Sequence, residues 1–499
     1  MNLSTEFSKT RIVNGEPEDG RKQTASKVQL FNVSTTQKLN LPNYFLADLP
    51  PEATLSPQMI SEACQTLKRN REQFLANRSL QSMVNLLAKL GQNWLEPDFP
   101  FRKFASEDAQ KAGFSRATLE RGLDNFFKQI TRENFRALIA QELGDSTDAT
   151  TGGLEAGAGI PLPHGRGSAG RFWRGPEFQV HIGAGNIPNP AMMSLIFGLL
   201  TRSAQFLKCA TGSSFLPRLF AHSIYDADAK LGACLEVAEW RGGNADLENV
   251  LFAEADCVTA TGSDEMLEKI RAKLPGRTRF LGYGHRVSFG FVAGEMLSGK
   301  RTGKILSAAA DDVVAWNQLG CLSPHVIYVQ TGGDASAEQF AQLLAAELAQ
   351  RETNEPRGDI SAEESAAIAS RRAIYEIRAA HSPETTRHWC SEGSTAWTVI
   401  FEADARFQLS CLNRFIYVKP VPDLKALLES ADSVRGKIST VGIAAPDEAV
   451  PELAAQLARW GATRICPLGQ MQNPPLTWRH DGRPPLGDLV TWTDLEVEL

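Results

Sequence analysis

The sequence predicts an α/β protein: a doubly wound, largely parallel sheet, a second α/β unit after it, and a helical region in front. Three observations predict this. Strand-like runs at 178–182, 204–208, 257–260 and 278–281 alternate with helical stretches. A further alternating block spans about 304–350 and carries a strand-like run at 326–330. Before residue 152, apolar residues recur at three- and four-residue spacing, the period of a helix face.

In chain order, residues up to about 43 form a polar, irregular lead-in. Met59, Ile60, Cys64 and Leu67, then Met83, Leu86, Leu87 and Leu90, mark helices within 51–94. Leu119, Leu123, Phe126, Phe127 and Ile130 mark a second helical block over 106–143. The Gly- and Pro-rich stretch 152–170 reads as a linker, loop or extended arm. Helices are expected at 190–202, 214–223, 249–255 and 264–274, between the strands. One more is expected over 304–316. Residues 352–365 are polar, a surface helix or an insertion. A strand at 414–418 and helices at 421–431 and 448–460 follow. Residues 474–486 read as an ordered loop and 488–492 as a final strand. The expected division is 1–300 for the N-terminal helices and first sheet (with 150–175 as linker or arm), 301–475 for the second unit, and 476–499 for a C-terminal loop and strand suited to an oligomer contact.

A chain of 499 residues can bury one large core or two to three smaller ones. Its 42% apolar and 22% charged residues are those of a soluble globular protein. A net charge of −6 argues against nucleic acid as the main partner. The first residues carry no basic or apolar leader pattern. No run reaches the ~18 apolar residues of a membrane span. Eight cysteines are scattered without a CxxC pair, and no His or carboxylate cluster has metal-site spacing, so none of them reads as a metal ligand. The chain reads as a reduced, cytoplasmic protein.

Cys321 is the leading reactive group. It lies between a helix-length stretch and a strand, where a side chain can face a cleft, and Gly320 removes bulk before it. A thiolate suits the making and breaking of thioesters. A lone Cys is otherwise simply a small buried residue. Asn186, in Gly183-Ala184-Gly185-Asn186-Ile187-Pro188 after a strand, offers an amide donor to a carbonyl turning tetrahedral. Capping the next helix is its alternative. Lys208, ending a second strand, can reach a ribose or phosphate of a dinucleotide lying across the strand ends. Gly262 and Ser263 open a helix whose N-terminus can receive an anion, and Ser263 also serves as a plain N-cap.

Strand-end Asn, strand-end Lys, Gly-Ser at a helix start and then a loop Cys, in that order, resemble the aldehyde dehydrogenase superfamily. Within it the chain resembles the LuxC-type acyl-CoA reductases. Four stretches carry this: 185–188, 318–324, 464–471 and 474–484, within a resemblance spanning about 178–492. It implies an aldehyde-dehydrogenase-like fold with a Rossmann-like dinucleotide domain and a catalytic domain. It implies that Cys321 is the nucleophile and that Asn186 with the Cys321 N–H forms the oxyanion hole. Lys208, Gly262 and Ser263 would bind the dinucleotide. The implied substrate is a fatty acyl-CoA or acyl-carrier thioester, reduced to the aldehyde through an acyl-Cys321 intermediate. A homo-oligomer and an acyl-activating partner enzyme are implied as well.

Two departures from the superfamily pattern refine this. Hydrolytic members carry a Glu that activates water, and the matching region, 280–286, has no carboxylate. NAD-preferring members have an acidic residue three positions after the Lys. Here that position is Thr211, which can donate to a 2′-phosphate, so NADPH is the expected cofactor. His285, Glu402 and Arg414 read as structural more than catalytic, and His325 is expected to point away along its strand. Trp478, Arg479, Asp481 and Arg483 fit a lid or a subunit contact equally. The alternative function is an acyltransferase or acyl-carrying protein that uses Cys321 without hydride transfer.

Overall fold

The structure, a computed structural model, describes residues 41–50, 52–144 and 170–495. The lead-in before residue 41 and the linker up to residue 169 lie outside the described residues.

Fourteen strands are found among the described residues. They are β1 (Gly170–Arg174), β2 (Phe178–Ile182), β3 (Ala204–Cys209), β4 (Leu235–Glu239), β5 (Cys257–Thr261), β6 (Arg279–Tyr283) and β7 (Val287–Val292). Then come β8 (Pro324–Gln330), β9 (Thr386–Cys390), β10 (Thr398–Glu402), β11 (Phe415–Val421), β12 (Ile438–Ala444), β13 (Arg464–Pro467) and β14 (Thr491–Leu495). Five of them form a parallel sheet in the order β4-β3-β2-β5-β6. Seven form a second sheet, β13-β12-β7-β8-β11-β10-β9, parallel except for β9 at its edge. β1 and β14 pair antiparallel as a separate two-stranded ribbon.

In the first sheet the chain steps from β2 outward to β3 and β4, then returns to β5 and β6 on the other side. The order reverses between β2 and β5, so the C-terminal ends of these strands open a crevice. The helices over residues 57–143 pack against this sheet unit. Ser56, Ser79, Ser115 and Thr131 each cap a helix by accepting from the N–H three residues on, worth about 1 kcal/mol apiece. Trp94 is fully buried, stacks on Phe127 at 4.9 Å, and donates its indole N–H to Ser223 Oγ at 2.9 Å. That bond ties the N-terminal helices to the helix Phe215–Ala227 of the first sheet.

The sheets differ from the expected division in instructive places. The chain passes from the first sheet to the second between Tyr283 and Val287, ahead of residue 300. Residues 352–365 are neither one helix nor an insertion: Ala337–Asn354 ends and Ala362–His381 begins there, capped by Ser361. The final strand begins at Thr491 and completes the ribbon with β1. β1, which lies within the stretch expected as linker or arm, and β4, β7, β9, β10, β12 and β13 are strands where none was expected. Gly290 in β7 and Gly442 in β12 interrupt the side-chain pattern of their strands. They are glycines because Leu468 and Met471 press on them; an added Cβ would lie 3.1 Å from Leu468 Cδ1 and 2.6 Å from Met471 Sδ. No helix among the described residues is long and apolar enough to cross a membrane.

Candidate active site

The Cys321 loop is built by an unusual turn. The helix leading to it stops at Val314, two residues before the expected end. Trp316, Asn317 and Gln318 then follow with φ of 49°, 51° and 65°. Three consecutive non-glycine residues in the left-handed region cost roughly 1–2 kcal/mol each, so the surroundings must hold them. The Trp316 ring lies on Gly122, where an added Cβ would sit 2.2 Å from it. Asn317 Nδ2 donates to Arg357 O at 3.0 Å, and Asn317 Oδ1 accepts from Arg414 Nε at 3.1 Å. Gln318 Nε2 donates to Pro324 O at 2.7 Å and Phe415 O at 2.9 Å. Gly320 is small for a reason beyond substrate approach: the Gln472 side chain packs on it, 2.6 Å from where a Cβ would stand. Ser288 Oγ donates to Cys321 O at 2.8 Å.

Cys321 is half-buried and faces a cavity. Burial, and next the Asp481 carboxylate, push its thiol up to about 12. Its own N–H, the Arg286 guanidinium and the Ser439 hydroxyl oppose them. Asp481 and Arg286 form an ion pair at 3.4 Å. The segment expected to be a lid or a subunit contact is therefore part of the site. His480 stacks on Tyr283 with ring centres 4.4 Å apart and meets Trp478 at a tilt, 4.7 Å away, and burial lowers its pKa. The region 280–286 has no carboxylate, yet Asp481 supplies one near the sulfur from a different part of the chain. Its Oδ2 pairs with Arg286, while its Oδ1 is buried and has no hydrogen-bond partner among the described residues.

Asn186 is brought to the Cys321 loop. Its Nδ2 donates to Leu319 O at 2.7 Å, two residues before the thiol. An amide NH2 carries two protons, so one remains for an oxyanion.

Lys208, Gly262 and Ser263 share the C-terminal edge of the first sheet with Asn186. Lys208 is only 5% exposed and has no ion-pair partner among the described residues. Its ammonium lies 5.7 Å from the Trp240 ring centre, and burial lowers its pKa. An unpaired, nearly buried cation at a strand end fits the ribose and phosphates of a dinucleotide. Ser263 caps the helix Asp264–Lys273 by accepting from Met266 N–H at 3.2 Å. Gly262 packs under Met266, 2.1 Å from an added Cβ. Thr211 is exposed on the turn after β3. Glu239, absent from the sequence reading, accepts from Gly212 N–H at 2.7 Å and Ser214 N–H at 3.2 Å and fixes that turn.

Other candidates lie elsewhere. Glu402 binds Lys419 at 2.8 Å and Arg378 at 3.0 Å on the second sheet. Arg414 is fully buried and braces Asn317 and Glu352. His325 faces Ser410 at 3.0 Å, and burial drops its pKa to about 4. His285 is exposed, and its backbone N–H donates to Asp264.

The cavity beside Cys321 holds about 180 Å3. The helix Asn189–Leu200 gives it Met193 and Phe197, and the C-terminal segment gives it Trp478 and Leu489. Phe126, from the N-terminal helices, also lines it. No spacing rule connects that helix to Cys321, so the sequence reading missed it.

Comparison with known proteins bears on the family and the fold. The chain matches the sequence profile described as acyl-CoA reductase (LuxC) over residues 75–492, reaching well before the 178–492 expected from motifs. It is 25% identical to the long-chain acyl-protein thioester reductase of Aliivibrio fischeri over 64% of each chain, just under two thirds of that relative. It is 23% identical to the protein of that name from Photorhabdus laumondii, over 84% of this chain and 82% of the relative. Its fold is that of the aldehyde dehydrogenases. Glyceraldehyde-3-phosphate dehydrogenase GapN from Methanocaldococcus jannaschii, solved with NADP, superposes with a TM-score of 0.61 at 12% identity, covering 89% of this chain and 96% of that one. The chain belongs to the acyl-CoA reductase (LuxC) family.

Proposed function

We propose that the chain is an NADPH-dependent acyl-thioester reductase that works through an acyl-Cys321 intermediate. The observation that carries this is that Cys321 lines a largely apolar cavity while its loop is joined, through Leu319 O, to Asn186 on the strand edge that bears Lys208. The reaction is acyl-S-CoA + NADPH + H+ → aldehyde + CoA-SH + NADP+.

The Cys321 sulfur forms a bond to the thioester carbonyl carbon, the carbon–sulfur bond to CoA breaks, and CoA leaves with a proton. A thiol pushed up to about 12 must first lose that proton, and Arg286 is the cation within electrostatic reach to favour the thiolate. Asn186 Nδ2 and the Cys321 N–H receive the oxyanion, and each such donor supplies about 3 kcal/mol of transition-state stabilisation. Lys208, Thr211 and the helix start at Gly262-Ser263 would hold NADPH, which when bound supplies a hydride to the acyl carbon. The bond to Cys321 then breaks, releasing aldehyde and restoring the thiolate. The region 280–286 supplies no carboxylate to activate water beside the acyl group, which favours reduction over hydrolysis.

The names of the relatives favour an acyl group delivered on a protein thiol, alongside CoA. That delivery matches the acyl-activating partner suggested by the family resemblance. The β1–β14 ribbon, apart from both sheets, is the proposed contact of a homo-oligomer.

The test is NADPH oxidation with a panel of acyl-CoAs, with aldehyde trapping, for the wild type and Cys321→Ala. Cys321-dependent oxidation with aldehyde release supports the reading. Acylation of Cys321 without NADPH use replaces it with the acyltransferase alternative.

A further inference from the structure

Strands of a buried parallel sheet are usually apolar on both faces. β2 is not. Phe178, Val180 and Ile182 point to one face, while Gln179 and His181 point to the other, under the helix Asn189–Leu200 that roofs the cavity. Gln205 on β3 is registered beside Gln179, and Thr259 on β5 beside His181. Gln179, His181, Thr259 and Thr261 all line the cavity. The pocket, which Asn125, Gln129, Asn189, Ser194, Gln472 and Asn473 also line, therefore has a polar floor beneath the apolar face of that helix.

Most of that floor is internally satisfied. His181 Nε2 meets Gln205 Oε1 at 2.9 Å, and its Nδ1 meets Thr259 Oγ1 at 2.6 Å. Gln205 Nε2 donates to Leu195 O at 3.1 Å. These contacts assign the His181 proton to Nε2, and burial lowers its pKa to about 4, so the ring is neutral near pH 7. Gln179 is different. It is 0% exposed, and neither its Nε2 nor its Oε1 has a hydrogen-bond partner among the described residues. Asn189 and Asn473, which line the same cavity, each leave a buried Oδ1 unmatched, but Gln179 alone leaves both ends of its amide so, a cost that a ligand group able to pair with it would remove. No Lys, Arg, Asp or Glu lines the cavity, so the ligand group it suits is uncharged. Gln179 lies three residues before the strand exit at Ile182, roughly 10 Å along β2. The matching group is thus well along an acyl chain, away from the thioester.

We propose that the acyl substrate carries an uncharged hydrogen-bonding group, a hydroxyl above all, far along its chain, and that Gln179 recognises it. This rests on the acyl-thioester reading above and deepens it: the preferred substrate is an oxygenated acyl thioester, not a plain hydrocarbon one. A hydroxyl gives Gln179 Oε1 a donor and Nε2 an acceptor, whereas a methylene leaves both unmet. A site with buried polar groups rejects the analogue that cannot pair with them far more strongly than it senses an extra methylene.

The experiment measures kcat/KM with NADPH for lauroyl-CoA against isomers hydroxylated at successive positions, from mid-chain to the terminus. It is run with wild type and with Gln179→Leu, whose fold is checked by thermal unfolding. The expected result is at least a roughly tenfold preference of wild type for one distal hydroxyl position, reversed in favour of lauroyl-CoA by Gln179→Leu. Equal rates, or a wild-type preference for lauroyl-CoA at every position, overturn the proposal, and the wild-type panel gives that answer even where the variant does not fold. A preference that survives Gln179→Leu also overturns it. No turnover and no Cys321 acylation with any ester would sink the acyl-thioester reading itself, a result distinct from turnover without positional preference.

Discussion

The two sides of the proposed active site are built to different standards. The loop that presents Cys321 passes through three left-handed residues, and its side chains are anchored by bonds to Arg357, Arg414, Pro324 and Phe415. The strand edge that bears Thr211, Gly262 and Ser263 is half-buried to exposed, and its bonds are mostly within its own turns. A nucleophile must hold its sulfur to within a fraction of an ångström of the attack geometry, which justifies stored backbone strain and the contacts that secure it. A diffusible cofactor must enter and leave, and an edge with one buried cation and free backbone groups suits that traffic. Substitutions on the first side should therefore damage fold and rate together, while those on the second should shift preference alone.

The largest effect is expected from Arg414→Met. Arg414 Nη1 meets Glu352 Oε2 at 2.9 Å and Glu355 O at 2.8 Å, and its Nε holds Asn317. Breaking a buried ion pair from one side costs about 3–5 kcal/mol. Denaturant unfolding should show a loss of that size, and the Cys321 turn should lose its register along with activity. A stable, fully active variant would show that the turn does not depend on this brace. Next comes Asn186→Ala. It sits at the meeting of the two sides, so kcat should fall by about a hundredfold or more with unfolding stability unchanged. An unchanged kcat would leave the oxyanion to other donors.

How much of this was legible in the sequence follows the same divide. Asn186, Lys208, Gly262 and Ser263 follow strands whose periodicity is readable, and the structure puts all four on one edge. The Cys321 loop was recognisable as a loop, but nothing in Trp316-Asn317-Gln318 signals left-handed backbone, which asparagine alone among the three tolerates well. The partners that hold the turn, Gly122, Arg357 and Arg414, lie some forty to two hundred residues away. Asp481 is near the thiol only because the C-terminal segment returns across the cleft. Glu239 and Gln179 sit on short strands where a carboxylate or amide looks like an ordinary exception to an apolar pattern. Long-range returns of the chain, more than local propensity, decide who meets Cys321.

Asp481→Asn sharpens the electrostatic part of the comparison. The Asp481 charge contributes to raising the Cys321 thiol, so its removal stabilises the thiolate, and Arg286, freed from its ion pair, adds to that. The sign is unambiguous: the thiol pKa falls, and alkylation by iodoacetamide speeds up at fixed pH. A drop of one unit gives about tenfold more thiolate below the pKa. Peptide mapping separates Cys321 from Cys390 and Cys411, which are also partly accessible. Slower alkylation would mean that Asp481 instead helps to remove the thiol proton.

Thr211→Glu should have the smallest effect and tests the cofactor edge alone. A carboxylate there would sit where a 2′-phosphate is expected and would favour ribose hydroxyls instead. Yet Thr211 is exposed, and water and salt screen charges at such a site to below about 1 kcal/mol. Glu239, moreover, already places a carboxylate at the same corner, with its charge partly met by the Gly212 and Ser214 N–H groups. The NADPH-to-NADH ratio of kcat/KM should therefore drop several-fold rather than a hundredfold, weaken further at low salt, and leave Cys321 acylation untouched. A variant that lost acylation as well would show that the two sides are mechanically coupled, and that the edge is less independent of the thiol loop than its sparse contacts imply.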